Sequence, residues 1–355
     1  MADESVLIIK TGALGDVLRT TAILPGLRAT HPAARVSWVT ATGAVDLVRL
    51  HPGIDEVLDV EPGDERAVAA LARDLRARRF AWVISLDDEE PLCRLASALR
   101  SGRLSGASLD DDGARVYSHD VAPWFDMGLL SVFGKREADR LKLANRRTHP
   151  AIVAGMLGLP VGEPDLVLPR ESLDFAAAFA ERHGLAGRRP LVGLNTGAGG
   201  RWTSKQIPVE RTLELAVALH GALDGRVTFA IFGGREEAER NRDMCAAFRD
   251  SPTPLRFVDA GTENSLLDFA ALIDLCDVAV CSDSLALHVC VARRVPVACF
   301  FAPTSAAEIE LYGRGAKVVS TSPDYCSYRP QADNSSITAE RLCAATLAAL
   351  RAPGR

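Results

Sequence analysis

Short apolar runs recur along this chain, the first being Val6-Leu7-Ile8-Ile9, and most are followed by a stretch of helical periodicity. That alternation constrains the fold more than any other feature, because strands joined by crossover helices pair in parallel as βαβ units. Strands are predicted over 5–10, 35–40, 56–60 and 82–86, with helices over 16–30 (interrupted by Pro25), 45–50, 66–78 and 92–99. Past Gly102 the pattern loosens into polar, Gly- and Asp-rich sequence up to about 121, and helical stretches follow near 127–133 and 137–157. Pro160, Pro164 and Pro169 mark 158–171 as an interdomain linker. A second series then predicts strands at 191–195, 227–233, 278–281 and 295–301. Its helices fall at 209–223, 236–248, 265–275, 284–293 and 337–350, the third of them N-capped by Ser265.

Two series imply two domains, and 355 residues suit two of roughly 150–180 residues each. The expected division is 1–165, 166–336 and a terminal segment, 337–355, whose helix has room to pack back onto the first domain. A net charge of −5 argues against a nucleic-acid partner, which needs a basic face. It also weighs against a strong electrostatic membrane anchor. Arg94, Arg100, Arg103 and the cations from Lys135 to Arg147 read as a solvated helix face or a local basic patch, so at most peripheral membrane contact is expected. Residues 1–4 are acidic, unlike the start of a signal peptide, and no apolar run reaches the ~18 residues that span a bilayer. A cytoplasmic location is the expectation. The eight cysteines form no C-x-x-C pair, which points to buried reduced thiols rather than a metal cluster.

Chemistry concentrates where predicted strands end. Thr11-Gly12-Ala13-Leu14-Gly15-Asp16 leads from the first strand into the first helix, and its glycines allow close ligand approach. It is neither a G-x-G-x-x-G fingerprint nor a Walker loop. Asp16 reads as a first-turn acid or as a general base at a cleft rim. Residues 195–205 (NTGAGGRWTSK) combine glycines, hydroxyls and cations, a composition suited to a diphosphate. Lys205 is one of only five lysines; it is either a compact ammonium for that diphosphate or a solvated loop residue.

Residues 281–288 (CSDSLALH) break a buried strand into a helix start. Asp283 and Ser284 thereby bring small polar groups and free backbone N–H groups to an anionic ligand. His288, one turn on, reaches a phosphate or is a structural histidine. Thr304 and Glu308 follow the next strand near the same rim. Gly233-Gly234-Arg235-Glu236-Glu237 offers a carboxylate to a ribose diol, with nothing to choose between Glu236 and Glu237. Asp87-Asp88-Glu89-Glu90 meets acceptor hydroxyls or forms a solvated acidic loop, and Asp110-Asp111-Asp112 gives little reason to invoke a metal.

Taken together, residues 8–20 (IIKTGALGDVLRT), 195–208 (NTGAGGRWTSKQIP), 282–288 (SDSLALH) and 300–313 (FFAPTSAAEIELYG) resemble glycosyltransferase family 9, the ADP-heptose:lipopolysaccharide heptosyltransferases. His51-Pro52-Gly53-Ile54-Asp55 also fits, and the matches span both halves in the family's order. The resemblance implies an α/β protein of GT-B type, with two Rossmann-like, doubly wound parallel-sheet domains facing a cleft. It implies inverting transfer of heptose from ADP-heptose to a saccharide or glycolipid acceptor, without metal or cofactor. Asp16 would be the base and Lys205 would neutralise the departing diphosphate. The donor would meet Thr196, Gly197, Gly199, Lys205, Glu236, Asp283, Ser284, Leu285, His288 and Thr304, and the acceptor Gly12, Gly15, Arg19 and Asp87. Leu285 stands where many members have glycine, and Ala302 replaces the glycine of a usual Gly-Pro-Thr. The wide separation of Cys326 and Cys343 does not match the iron motif of protein-modifying relatives. Alternatives are a GT-B enzyme with another nucleotide sugar, including a natural-product transferase or a sugar-nucleotide epimerase, and a non-catalytic sugar-nucleotide-binding protein. An NAD-dependent oxidoreductase lacks its fingerprint here.

Overall fold

The computed structural model describes residues 4–128, 133–199 and 202–352. They divide into two compact units, Met1–Val167 and Leu168–Arg355. In the first, β1 (Ser5–Ile9) leads into α1 (Leu14–Thr20) and α2 (Ile23–Thr30), then β2 (Arg35–Thr40) and β3 (Glu56–Asp59). Next come α3 (Glu65–Leu75), β4 (Arg79–Ser85), α4 (Glu90–Ala98) and a hairpin of β5 (Arg100–Leu109) and β6 (Arg115–Tyr117). The unit closes with α5 (Ala122–Phe125), α6 (Lys135–Ala144) and α7 (His149–Leu157). The sheet order is β3-β2-β1-β4-β5-β6, parallel except at the β5–β6 hairpin.

The second unit begins with α8 (Arg170–Arg182), followed by β7 (Leu191–Asn195), α9 (Val209–Ala222), β8 (Thr228–Ile231), α10 (Ala238–Arg249) and β9 (Phe257–Asp259). Then come α11 (Leu266–Ile273), β10 (Val278–Ser282), α12 (Leu285–Ala292), β11 (Val297–Phe301), β12 (Gly315–Val319) and α13 (Ala339–Leu350). Its fully parallel sheet has the order β12-β11-β10-β7-β8-β9. Both sheets are Rossmann-like and doubly wound, as the alternation predicts. In each, the chain reverses its direction of travel across the sheet once, between β1 and β4 and between β7 and β10. Ligands of such sheets bind beyond the carboxyl ends of the strands at that switch point.

Several predicted elements are corrected. The helix expected over 16–30 breaks at 21–22, upstream of Pro25, which sits in the first turn of α2 where a missing N–H is tolerated. The helix at 45–50 is a 3₁₀ turn over Thr42–Leu47, and 137–157 splits into α6 and α7, with Pro150 in the first turn of α7. The helix near 127–133 lies mostly outside the described residues. The irregular stretch after Gly102 is instead the β5–β6 hairpin, and the Asp110-Asp111-Asp112 run is its turn: the Asp110 carboxylate accepts from the amides of Asp112 (3.1 Å) and Ala114 (2.8 Å). The terminal helix, given room by the sequence to reach the first domain, is built into the second. There α13 packs on β10, β11, β12 and α9, burying Leu342, Cys343 and Ala349 in the core with Phe300 and Val318.

Candidate active site

At the first switch point, the loop after β1 is tied to the loop after β4. The Asp87 carboxylate, 6 % exposed, accepts from the Lys10 ammonium, the Thr11 amide and, at 2.8 Å, the Thr11 hydroxyl. Lys10 also donates to the Gly12 carbonyl, which fixes the turn into α1. Burial lowers the Lys10 pKa, but the charges of Asp87 and Asp16 outweigh it and hold the ammonium above its ordinary range. The neighbouring acids are engaged as well: Asp88 accepts from the Tyr117 hydroxyl at 2.8 Å, and Glu90 pairs with Arg94 at 2.5 Å.

Asp16 lies in the first turn of α1 and pairs with Arg19 at 2.9 Å. The Arg19 guanidinium stacks 5.2 Å from the Trp124 ring centre, and Trp124 meets His149 edge-on at 4.8 Å. Lys10, Asp16, Arg19, Trp124 and His149 line a cavity of about 70 Å³. Gly12 and Gly15 belong to the loop and first turn beside it, and a Cβ added at Gly12 would meet nothing within 4 Å. Of the four predicted acceptor residues, the fold thus puts Gly12, Gly15 and Arg19 beside Asp16, while Asp87 is buried beneath the turn.

At the second switch point, Lys205 donates to the Asp283 carbonyl at 2.7 Å and its carboxylate at 3.2 Å, joining the loop after β7 to that after β10. His288 Nε2 lies 3.8 Å from the other Asp283 carboxylate oxygen. Ser284 is the extended N-cap residue of α12 but makes no side-chain cap bond, so the Leu285 and Ala286 amides remain open to an acceptor. Ser284, Leu285 and Ala286 line a cavity of about 270 Å³, together with Asn195, Ala198, Gly199, Gly233, Gly234, Glu237, Thr262, Asn264, Ser265, Leu266 and Phe269.

Gly197 and Gly199 are needed sterically. A Cβ at Gly197 would fall 2.6 Å from Glu237 Cγ, and Gly199 has φ +66°. Glu237 is buried and accepts from the Gly199 and Gly234 amides, the second at 2.7 Å, whereas Glu236 is exposed. Thr196 is fully buried, its hydroxyl bonded to Thr212 (3.1 Å) and Arg240 (2.8 Å). The Thr304 hydroxyl is buried with no hydrogen-bond partner among the described residues. Gly200 and Arg201 lie outside the described residues.

Sequence reasoning missed Lys10, Trp124, His149, Thr262 and Asn264. The scarcity of lysine that drew attention to Lys205 applies equally to Lys10. Thr262 and Asn264 follow β9, a strand the pattern did not reveal, and Trp124 and His149 reach Arg19 only through the packing of α5 and α7. Among the described residues no helix is long and apolar enough to cross a membrane, and no group of three or more His, Cys, Asp or Glu is placed to hold a metal ion. All eight cysteines are buried free thiols.

A family model described as Glycosyltransferase family 9 (heptosyltransferase) matches residues 129–336. The lipopolysaccharide heptosyltransferase 1 of Pseudomonas aeruginosa is 25% identical over 320 residues, covering 87% of this chain and 81% of that protein. A family 9 glycosyl transferase from Veillonella parvula superposes with a TM-score of 0.76 at 20% identity, over 99% of this chain and 98% of that one. The ADP-heptose lps heptosyltransferase II of E. coli gives 0.68 at 18% identity, over 98% of each chain. At these identities the structural likenesses establish the fold.

Proposed function

We propose, from the premise that this chain belongs to glycosyltransferase family 9, that it transfers heptose from ADP-heptose to a saccharide acceptor, the lipopolysaccharide inner core or a related glycan. As a heptosyltransferase-family glycosyltransferase it breaks the bond between a sugar and a nucleoside diphosphate, so negative charge develops on the leaving group. The observation that carries the donor reading is the Lys205–Asp283 pair beside the 270 Å³ cavity and the uncapped start of α12. An ammonium and open amides suit a diphosphate, and the cavity suits a nucleoside. The names of the E. coli and Pseudomonas relatives support heptose, and the E. coli name supports ADP.

In this reading the Asp16 carboxylate takes the proton from the acceptor hydroxyl, whose oxygen attacks the anomeric carbon as the carbon–oxygen bond to the diphosphate breaks. Arg19 orients Asp16. Lys205 meets the charge left on ADP, and no metal or cofactor is invoked. His288, on α12 within 3.8 Å of Asp283, and Thr304, on the loop after β11, contact the diphosphate or sugar. For the ribose diol, wall position favours Glu237 over the exposed Glu236, and a carboxylate holding two amides still has lone pairs for hydroxyls. The reaction is assigned to the cytoplasm, where nucleotide sugars are available, with at most peripheral membrane contact.

Calorimetry without added metal tests this: ADP binds in preference to UDP and GDP. Asp16→Ala leaves that binding nearly intact and lowers turnover at least ~100-fold, the scale of general-base loss. Preference for UDP or GDP would overturn the donor, and collapse of ADP binding in the variant would make Asp16 structural.

A further inference from the structure

The cavity at the second switch point contains one polar group whose orientation is fixed from behind. Asn264 donates its side-chain Nδ2 to the Ala260 carbonyl at 2.8 Å and to the Gly261 carbonyl at 3.4 Å. Reversing the amide would set its oxygen against two carbonyl oxygens, so the orientation is dictated by the backbone of the loop after β9. Asn264 lines the cavity, and the group it has left for a ligand is Oδ1, an acceptor that cannot become a donor.

The adjacent Ser265 hydroxyl is committed elsewhere: it donates to the Asp268 carboxylate at 2.7 Å while accepting from the Asp268 amide at 3.1 Å. Glu237, which accepts from the Gly199 and Gly234 amides, keeps lone pairs only for further donors such as a ribose diol. Leu266 and Phe269 supply an apolar wall, and Phe269 is held edge-to-face on Phe232, with ring centres 5.8 Å apart. Gly233 and Gly234 border the cavity, and at Gly233 a Cβ would fall 2.7 Å from Asn241 Nδ2. The combination is a slot for a nucleobase with one obligate acceptor along its edge.

We propose that Asn264 determines which purine this site takes: its carbonyl accepts a hydrogen bond from the 6-amino group of adenine and disfavours 6-oxopurines. The inference rests on the nucleotide-donor reading and adds to it the residue that reads the base. In hypoxanthine or guanine an oxygen replaces the amine, so two acceptors face each other and both lose their bond in a partly dry site.

The test is calorimetric titration of the full chain with ADP, inosine 5′-diphosphate and purine riboside 5′-diphosphate, which carry amino, oxo and no substituent at the six position. The wild type should bind ADP at least ~10-fold more tightly than the inosine compound, with the unsubstituted purine between them. Asn264→Ala should bring the ADP-to-inosine ratio close to one, mainly by weakening ADP. The wild-type ranking stands by itself if that variant does not fold. Equal wild-type binding of all three would overturn the role of Asn264 and leave the donor reading intact. Loss of ADP and inosine binding in equal proportion in the variant would make the residue structural. Binding of none by the wild type would overturn the donor reading itself.

Discussion

Lys10 and Lys205 solve the same local problem in the two units. Each follows a central strand, and each ties its loop to an aspartate after the neighbouring strand, where the sheet order reverses. Their side chains are only 11% and 17% exposed, so each ammonium needs a compensating charge. Lys10 finds it in Asp87 and the Gly12 carbonyl. Lys205 has Asp283, and a diphosphate beside it would supply a denser anion. Lys205→Ala should therefore weaken ADP binding about 10–100-fold, the size of a lost charge-assisted hydrogen bond, and lower turnover with it. Unchanged ADP affinity in calorimetry would remove Lys205 from the site. Composition singled out this residue because lysine is rare in an arginine-rich chain. It could not single out Asn264, since the commitment of its amide nitrogen to Ala260 and Gly261 is a property of a folded loop.

At the level of elements, the strands that the pattern revealed and those it hid differ in position. The central strands β1, β4, β7 and β10 are buried on both faces, so their sequences are continuous apolar runs. The hidden strands β6, β9 and β12 are sheet edges, and β5 lies next to one. Such strands draw stability from the ladder and from side-chain bonds rather than from their own hydrophobicity. β5 shows this: Ser105 accepts from the Trp82 indole at 3.0 Å and donates to Asp120 at 2.6 Å, and Arg103 stacks 4.1 Å over Trp82. The edge strand β3 was legible because Glu56-Val57-Leu58-Asp59 still carries an apolar pair. Gly106 in β5 has φ +129°, and a Cβ there would lie 1.8 Å from the Ser85 carbonyl oxygen. Gly106→Ala should cost roughly 3 kcal/mol of stability through steric overlap and backbone strain. A urea melt showing less than about 1 kcal/mol would mean that β5 shifts to accommodate it.

For the molecule as a whole, stability should depend on pH through His51. Its Nδ1 accepts from the Gly53 amide at 3.0 Å, and its Nε2 is buried without a partner among the described residues. Burial holds its pKa below the ordinary 6.5, against the opposing pull of Asp165. Below that ordinary value the unfolded chain binds a proton that the native state resists. The contribution of a neutral His51 is thus complete above pH 6.5 and lost as pH falls through the lowered native value. Urea midpoints at about pH 7.5 and about pH 5.5 should fall further for the wild type than for His51→Asn, whose side-chain oxygen can keep the Gly53 bond; equal losses would assign the effect to other groups. The sequence by itself determined the two parallel α/β units, their central strands, and the glycine, lysine and aspartate chemistry at the strand ends. Those features are local: strand hydrophobicity and turn composition can be read within a few residues. Only the tertiary structure decided which strand ends meet. Lys10 finds Asp87 across 77 residues and Lys205 finds Asp283 across 78, because strand order, which no short segment encodes, sets where each sheet reverses.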